Sequence, residues 1–221
     1  MEDAWQLVMA LSWEAYRVGS LPIGAVVVDV EGRVVSSARS RRHEDVPVIG
    51  QLSGTRIAHA EVNALAQLPV SGRYGEHTVC VNVEPCCLCM GAVWQTGIGS
   101  VRYGWRDRYG GAASCMTVAN PQVLCRSLSV HGPAGGLVEA LTGLLLACHY
   151  RYLRPGLDHV TRPWQQAQPD IFAAAADPRV ATVLSRAVAS GLSVEGLVTA
   201  LEPVTGLRLR RTEGSAPLDW V

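Results

Sequence analysis

Apolar residues near the start of the chain recur every three to four positions. Ala4, Leu7, Val8, Leu11, Ala15 and Val18 fall on one face, which predicts an amphipathic helix capped by Asp3 and closed at Gly19. The period then changes. Residues 23–30 are a short apolar, β-branched run, Glu31-Gly32 is a turn signal, and residues 33–38 return as a second strand. Residues 40–57 break the pattern with a polar connection in which Arg41, Arg42, His43, Glu44 and Asp45 follow one another. A connection this long is often functional, while its individual charges read as solvated. Helical patterning resumes over residues 58–68 and stops at Pro69. A strand over 78–83 has its alternation interrupted by Asn82. A helix over 86–96, a strand over 100–105, a fifth strand over 128–130 and a long amphipathic helix over 137–152 complete the series.

Strands alternating with helices imply an α/β sheet covered on both faces. The Leu153-Arg154-Pro155-Gly156 stretch marks a break. It divides the chain into residues 1–154 and a C-terminal extension, 155–221. Two short helices are expected in the extension, over 177–189 and from Ser193, the second with Val194, Leu197, Val198 and Leu201 apolar. Two such helices cannot bury a core of their own. They are therefore expected to pack on the first part, on a neighbouring subunit or at the entrance of a site.

Composition narrows the function classes. The 221 residues are 48% hydrophobic and 17% charged, enough for one large domain or a domain with an appendage. Lys+Arg and Asp+Glu are both 19. A general nucleic-acid binder carries a basic excess, so nucleic acid is disfavoured as a partner, although a local patch remains open. Seven cysteines, an odd number, argue against a complete disulfide framework and for a reducing cytoplasm. Neither a secretory leader nor a membrane span is expected from the apolar runs.

Chemistry concentrates in His59-Ala60-Glu61 and Pro85-Cys86-Cys87-Leu88-Cys89. His59, Cys86 and Cys89 are three metal donors of borderline and soft character, which suits Zn²⁺ and leaves a fourth position open, the catalytic arrangement. Residues two apart on a helix do not share a face. His59 and Glu61 can both reach one metal only if it lies off the start of their helix, and Glu61 is then a proton carrier beside it. Cys86 and Cys89 are three apart and do share a face. Pro85 suits a helix start. Two helix N-termini would point at the metal and favour thiolate over thiol. Cys80, Cys87, Cys115, Cys125 and Cys148 remain as small buried thiols. The competing reading is a closed structural zinc site completed by Cys87 or Cys80.

The H-x-E…P-C-x-x-C pattern belongs to zinc deaminases. Together with Leu21-Pro22-Ile23-Gly24-Ala25-Val26-Val27-Val28, His59 to Leu65, and Glu84-Pro85-Cys86 through Arg102-Tyr103-Gly104-Trp105-Arg106-Asp107, the chain resembles the cytidine-deaminase superfamily over roughly residues 3–154. The closest likeness is to the branch holding bacterial tRNA adenosine deaminases and guanine or cytosine deaminases. That resemblance implies a three-layer α/β/α sandwich around a central mixed five-stranded sheet. It implies one Zn²⁺ on His59, Cys86 and Cys89, with Glu61 as the acid–base residue. It implies a homodimer whose interface lies near residues 86–96, where Met90, Val93 and Trp94 are apolar.

The candidate substrate contacts are Gly24 and Ala25, whose small size would let a flat base approach the backbone, with Ser40, Pro85, Trp105 and Asp107. Asp107 lies where this family has an Asp at the mouth of the site. Ser40 stands where the tRNA adenosine deaminases carry a substrate-contacting Asn, a departure that weakens adenosine specificity. Trp94 or Trp105 could stack on a base, although a Trp at a helix–sheet contact more often serves the core. The expected activity is hydrolytic deamination of a nucleobase, nucleoside or related small amino-heterocycle, releasing ammonia. The alternatives are a tRNA adenosine-to-inosine deaminase and a non-catalytic zinc-stabilised interaction module.

Overall fold

The computed structural model describes residues 2–114, 121, 125 and 127–206. Helix α1 (Glu2–Arg17) leads into β1 (Gly24–Val28) and β2 (Val34–Arg39). A long connection reaches α2 (Ala60–Leu65), followed by β3 (Thr78–Val83), α3 (Cys87–Thr96), β4 (Ser100–Trp105) and β5 (Ser129–His131). The strands form one sheet in the order β2-β1-β3-β4-β5. β1 pairs antiparallel with β2 and β3, whereas β3–β4 and β4–β5 are parallel. Then come α4 (Gly136–Cys148), a π-helical turn (His149–Leu153), α5 (Asp158–Ala167), α6 (Pro169–Ala176), α7 (Pro178–Ser190) and α8 (Val194–Thr205).

Strand alternation sorts the core into two layers. Val26, Val28 and Cys80 point to α1, packing with Ala4, Trp5 and Val8. Ala25, Val27, Val79 and Val81 point the other way, against Ala60 and Ala64 of α2 and Met90 and Val93 of α3. The sheet is thus mixed and covered on both faces, the three-layer arrangement expected.

Asn82 breaks the alternation because it is a buried polar post. Its Oδ1 accepts the Gly24 N–H at 2.9 Å, and its Nδ2 donates to the Pro22 carbonyl at 2.9 Å and the Ser12 hydroxyl at 3.1 Å. It ties β1, β3 and α1 together, and full satisfaction makes its burial tolerable.

Several expectations change. Asp3 lies inside the first turn of α1 and is not its cap. α1 buries a wider face than the sequence stripe. Trp5, Met9, Trp13 and Tyr16 are buried while Val18 is exposed, because the helix is covered on a second side. The charges after β2 are not simply solvated. Glu44 pairs with both Arg39 and Arg41, all three largely shielded, and Arg39 also reaches Glu14 at 3.0 Å. Paired burial offsets their desolvation.

Among the described residues four helices follow the break, not two. Met9, Trp13 and Tyr16 of α1 and Leu141, Leu144 and Leu145 of α4 share one core with Ile171, Leu184, Leu197 and Leu201 of α6, α7 and α8. The Trp13 Nε1 donates to the Leu192 carbonyl at 2.8 Å. Of the leftover cysteines, Cys80 and Cys148 are buried as expected, but Cys87 and Cys125 are exposed. Cys115 and residues 207–221 lie outside the described residues. No helix among the described residues is long and apolar enough to cross a membrane.

Candidate active site

The site sits at the carboxyl ends of β3 and β4, the edge of an open α/β sheet where ligands bind. β3 runs into Glu84-Pro85, and Cys86 then caps α3. His59 caps α2. Both donors therefore sit half outside a helix, where their side chains are free to turn off its end. Cys89 follows in the first turn of α3, on the same side as Cys86.

His59, Cys86 and Cys89 form a cluster whose donor atoms all lie within 4.8 Å of one another. His59 Nδ1 is 3.3 Å from Cys89 Sγ and 3.6 Å from Cys86 Sγ, and the two sulfurs are 3.6 Å apart. A tetrahedral zinc with ordinary bond lengths has N···S edges of about 3.6 Å and S···S edges of about 3.8 Å. The donor set fits zinc in type and spacing. Cys80 and Cys87 are outside the cluster, so neither closes the fourth position.

The electrostatics agree with a metal. Cys86 is held down to about 3, first by hydrogen bonding with Cys89 and then with His59. Cys89 is pushed well up, first by Cys86 and then by burial. The pair holds one thiolate and one thiol, and a divalent cation would displace the remaining proton. Glu61 is 4% exposed, and its Oε2 has no hydrogen-bond partner. Burial raises its carboxyl above the ordinary range. A buried carboxyl with one oxygen unpartnered, two residues from His59 and hydrogen-bonded to Cys89, is placed to carry a proton.

These groups open onto a cavity of about 320 Å³, within the size range of small-molecule sites. Ser40, His59, Glu61, Cys86 and Asp107 line it, and so does Arg42. Asp107 Oδ1 accepts the Tyr109 and Gly110 N–H groups at 2.8 and 3.0 Å, so it orders its loop while facing the mouth.

Other substrate-contact candidates lie elsewhere. Gly24 faces α1, where a Cβ would come within 2.3 Å of the Val8 carbonyl oxygen. Its small size serves helix packing. Ala25 is packed beneath α2. Neither they nor Pro85 and Trp105 line the cavity. Trp105 is buried with its Nε1 donating to Gln168, so it supports the wall from behind. Met90 and Val93 are buried in the sheet core and unavailable to a partner subunit, while Trp94 is half-buried.

Sequence reasoning missed the roof. Leu157, Val160 and Trp164 of α5 and its approach line the cavity. Trp164 Nε1 donates to Asp107 Oδ1 at 2.7 Å, and its ring stands edge-on to Trp105 and Tyr150 at 5.0 and 5.4 Å. The signal was the Val160–Trp164 spacing of four on one helix face. Pro163 and the polar remainder of α5 hid it.

Residues 1–105 match the model of the cytidine and deoxycytidylate deaminase zinc-binding region. The chain is 31% identical over 138 residues to the tRNA-specific adenosine deaminase of Agrobacterium fabrum, covering 61% of this chain and 83% of that one. It is also 31% identical over 107 residues, 47% of its length, to the tRNA(Ile)-lysidine synthase of Deinococcus radiodurans. It spans only 17% of that synthase and 20% of its Deinococcus deserti counterpart. Among solved structures, a mutant of NE0047 in complex with 8-azaguanine superimposes with a TM-score of 0.51 at 20% identity, over 67% of this chain and 83% of that one. At that identity the likeness is one of fold.

Proposed function

The chain belongs to the cytidine and deoxycytidylate deaminase superfamily, and on that premise we propose that it deaminates a nucleobase, nucleoside or related small amino-heterocycle. Zinc is its metal, and His59, Cys86 and Cys89 would hold it. When bound, zinc supplies the Lewis acidity that makes water nucleophilic near neutral pH. Glu61 would hold and move the protons beside it, accepting one from the attacking water and delivering protons to the ring nitrogen and the departing amino group. The ring carbon gains the water oxygen and loses its nitrogen as ammonia, with no redox change. Backbone N–H groups at the start of α3 stabilise charge developing on that oxygen.

The observation that carries the small-substrate reading is the roof. α5 brings Leu157, Val160 and Trp164 over the cavity and ties down the Asp107 loop, which leaves room for a ring and little for a folded polymer. Zero net charge supports the same reading, since a polyanion contact needs local basic excess. We read residues 1–154 as the catalytic unit, 155–221 as its helical extension, and the protein as a cytoplasmic homodimer. The free thiols among the described residues fit that compartment.

The second reading is adenosine-to-inosine deamination in tRNA, favoured by the 31% identity to a tRNA-specific adenosine deaminase. A non-catalytic zinc module is disfavoured by the unclosed donor set and the buried Glu61. The test is one zinc-loaded preparation assayed at physiological salt for ammonia release from bases and nucleosides and for inosine in tRNA. Ammonia from a small ring is expected. Inosine in tRNA with every small heterocycle untouched reverses the order.

A further inference from the structure

β2 ends on Arg39 and the connection to α2 begins with Arg41 and Arg42 close behind it; the first two of these arginines are paired. Arg39 pairs with Glu14 and Glu44, and Arg41 pairs with Glu44 at 2.7 Å and donates to Gln51 at 2.6 Å. Arg42 makes no ion pair among the described residues, yet it lines the catalytic cavity. Its Nε–H is buried and has no partner. Ser40, two residues earlier, lines the same cavity, is 1% exposed, and its Oγ is likewise buried without a partner. Buried donors are normally satisfied. Two orphans on one cavity wall point to an acceptor that arrives with the ligand.

The connection is held still. Arg41 N–H donates to the Ala58 carbonyl at 3.0 Å, and Glu44 and Gly54 N–H groups both donate to the Arg41 carbonyl. Asn63 of α2 exchanges two hydrogen bonds with the Leu52 backbone at 2.8 and 2.9 Å. Arg42 is thereby presented rather than loosely tethered, which lowers the entropic cost of binding.

The carboxylates that line the cavity do not neutralise Arg42. Asp107 is engaged by two backbone N–H groups and Trp164, and Glu84 Oε1 accepts the Ala113 N–H at 3.2 Å. Glu61 lies on the metal side. His149, fully buried behind this wall, is pushed down to about 3 by burial first and then by His43, Arg154 and Arg42.

We propose that Arg42 and Ser40 form an oxyanion-binding subsite in the cavity wall, so that the amino-heterocycle deaminated here carries a phosphate or carboxylate. A guanidinium fork matches either group through paired charge-assisted hydrogen bonds, and the Ser40 hydroxyl adds a neutral donor. This rests on the deaminase reading above and adds the chemical class of its substrate.

The test uses the zinc-loaded full chain and calorimetric binding of matched pairs. Cytidine against cytidine 5′-monophosphate and guanosine against guanosine 5′-monophosphate form the phosphate arm. Cytosine against 5-carboxycytosine forms the carboxylate arm. In one arm the oxyanion-bearing member should bind about 10- to 100-fold tighter, the fold-change of one charge-assisted contact. Arg42→Gln should collapse that ratio towards one, Ser40→Ala should reduce it in part, and Arg42→Lys should keep an intermediate ratio. Equal binding within every pair, or a preference that survives Arg42→Gln, overturns the subsite. Arg42-dependent binding with no ammonia from any compound keeps the subsite and removes the deaminase reading. Ammonia release from uncharged rings with no oxyanion preference does the reverse.

Discussion

Replacing Trp164 by Phe tests the roof with little change of shape. The ring stays against Trp105 and Tyr150, and only the indole N–H to Asp107 is lost. A hydrogen bond to a charged acceptor is worth about 1.5–3 kcal/mol net. Asp107 Oδ1 keeps the Tyr109 and Gly110 N–H groups, so the acceptor is not orphaned and the low end applies, about 1.5 kcal/mol. Trp164→Ala also empties a buried site and should cost about 3–5 kcal/mol. Asp107→Asn keeps an acceptor of lower charge. Combined with Trp164→Phe it should show a coupling energy of about 1 kcal/mol, as expected for side chains in contact. Urea unfolding of the zinc-loaded protein reads these differences as midpoint shifts at constant slope. Ammonia release under the same conditions should show KM rising more than kcat falls, because the roof positions the ring and does not move protons. A Trp164→Phe protein as stable as the parent, with no coupling to Asp107→Asn, would refute the idea that this contact holds α5 over the cavity.

Cys86→Ala and Cys89→Ala should lose zinc by metal analysis, whereas Cys87→Ala, exposed and outside the cluster, should retain it. Glu61→Ala should keep zinc and fold, since the Glu61 Oε2 has no partner to lose, while ammonia release falls roughly 100- to 10,000-fold. His149 gives a pH signature. Its folded value of about 3 lies below the ordinary value near 6.5, so the unfolded chain takes up the proton first and stability is lost as pH falls through 6.5 towards 3. From pH 7 to pH 5 that amounts to about 2 kcal/mol. His149→Phe should flatten that part of the unfolding-against-pH curve, and an unchanged slope would contradict it.

The parts of the fold legible in the sequence are those where a local period is also a burial pattern. β3 and β4 occupy the expected residues, because β-branched runs bounded by turns have few alternatives. The zinc donors were legible because their residue types and spacing are set by the metal. What escaped was set by long-range neighbours. The first metal helix was expected over 58–68 and is only Ala60–Leu65, as His59 turns off its end to face Cys86 and Cys89. Gly24 was read towards a ligand, but its crowding comes from Val8 and Leu11 on a helix whose position no local pattern gives. The second apolar stripe of α1, Met9, Trp13 and Tyr16 at helical spacing, was present all along. Its meaning depended on partners more than 120 residues away. Arg41 and Glu44 looked like surface charges because their shielding is created by the fold of their own loop.

α1 acts as a party wall. One side carries the sheet beneath the catalytic centre and the other carries α6, α7 and α8. A chain cut near residue 154 would turn Met9, Trp13, Leu141, Leu144 and Leu145 out to water as one sticky patch. The roof of the cavity stands on other supports. Val160 and Trp164 of α5 belong to a separate apolar cluster with Leu21, Val83 and Leu146, while the later helices are set into the shared masonry. The roof over the cavity therefore rests on buried contacts of its own, apart from the core that fixes the later helices.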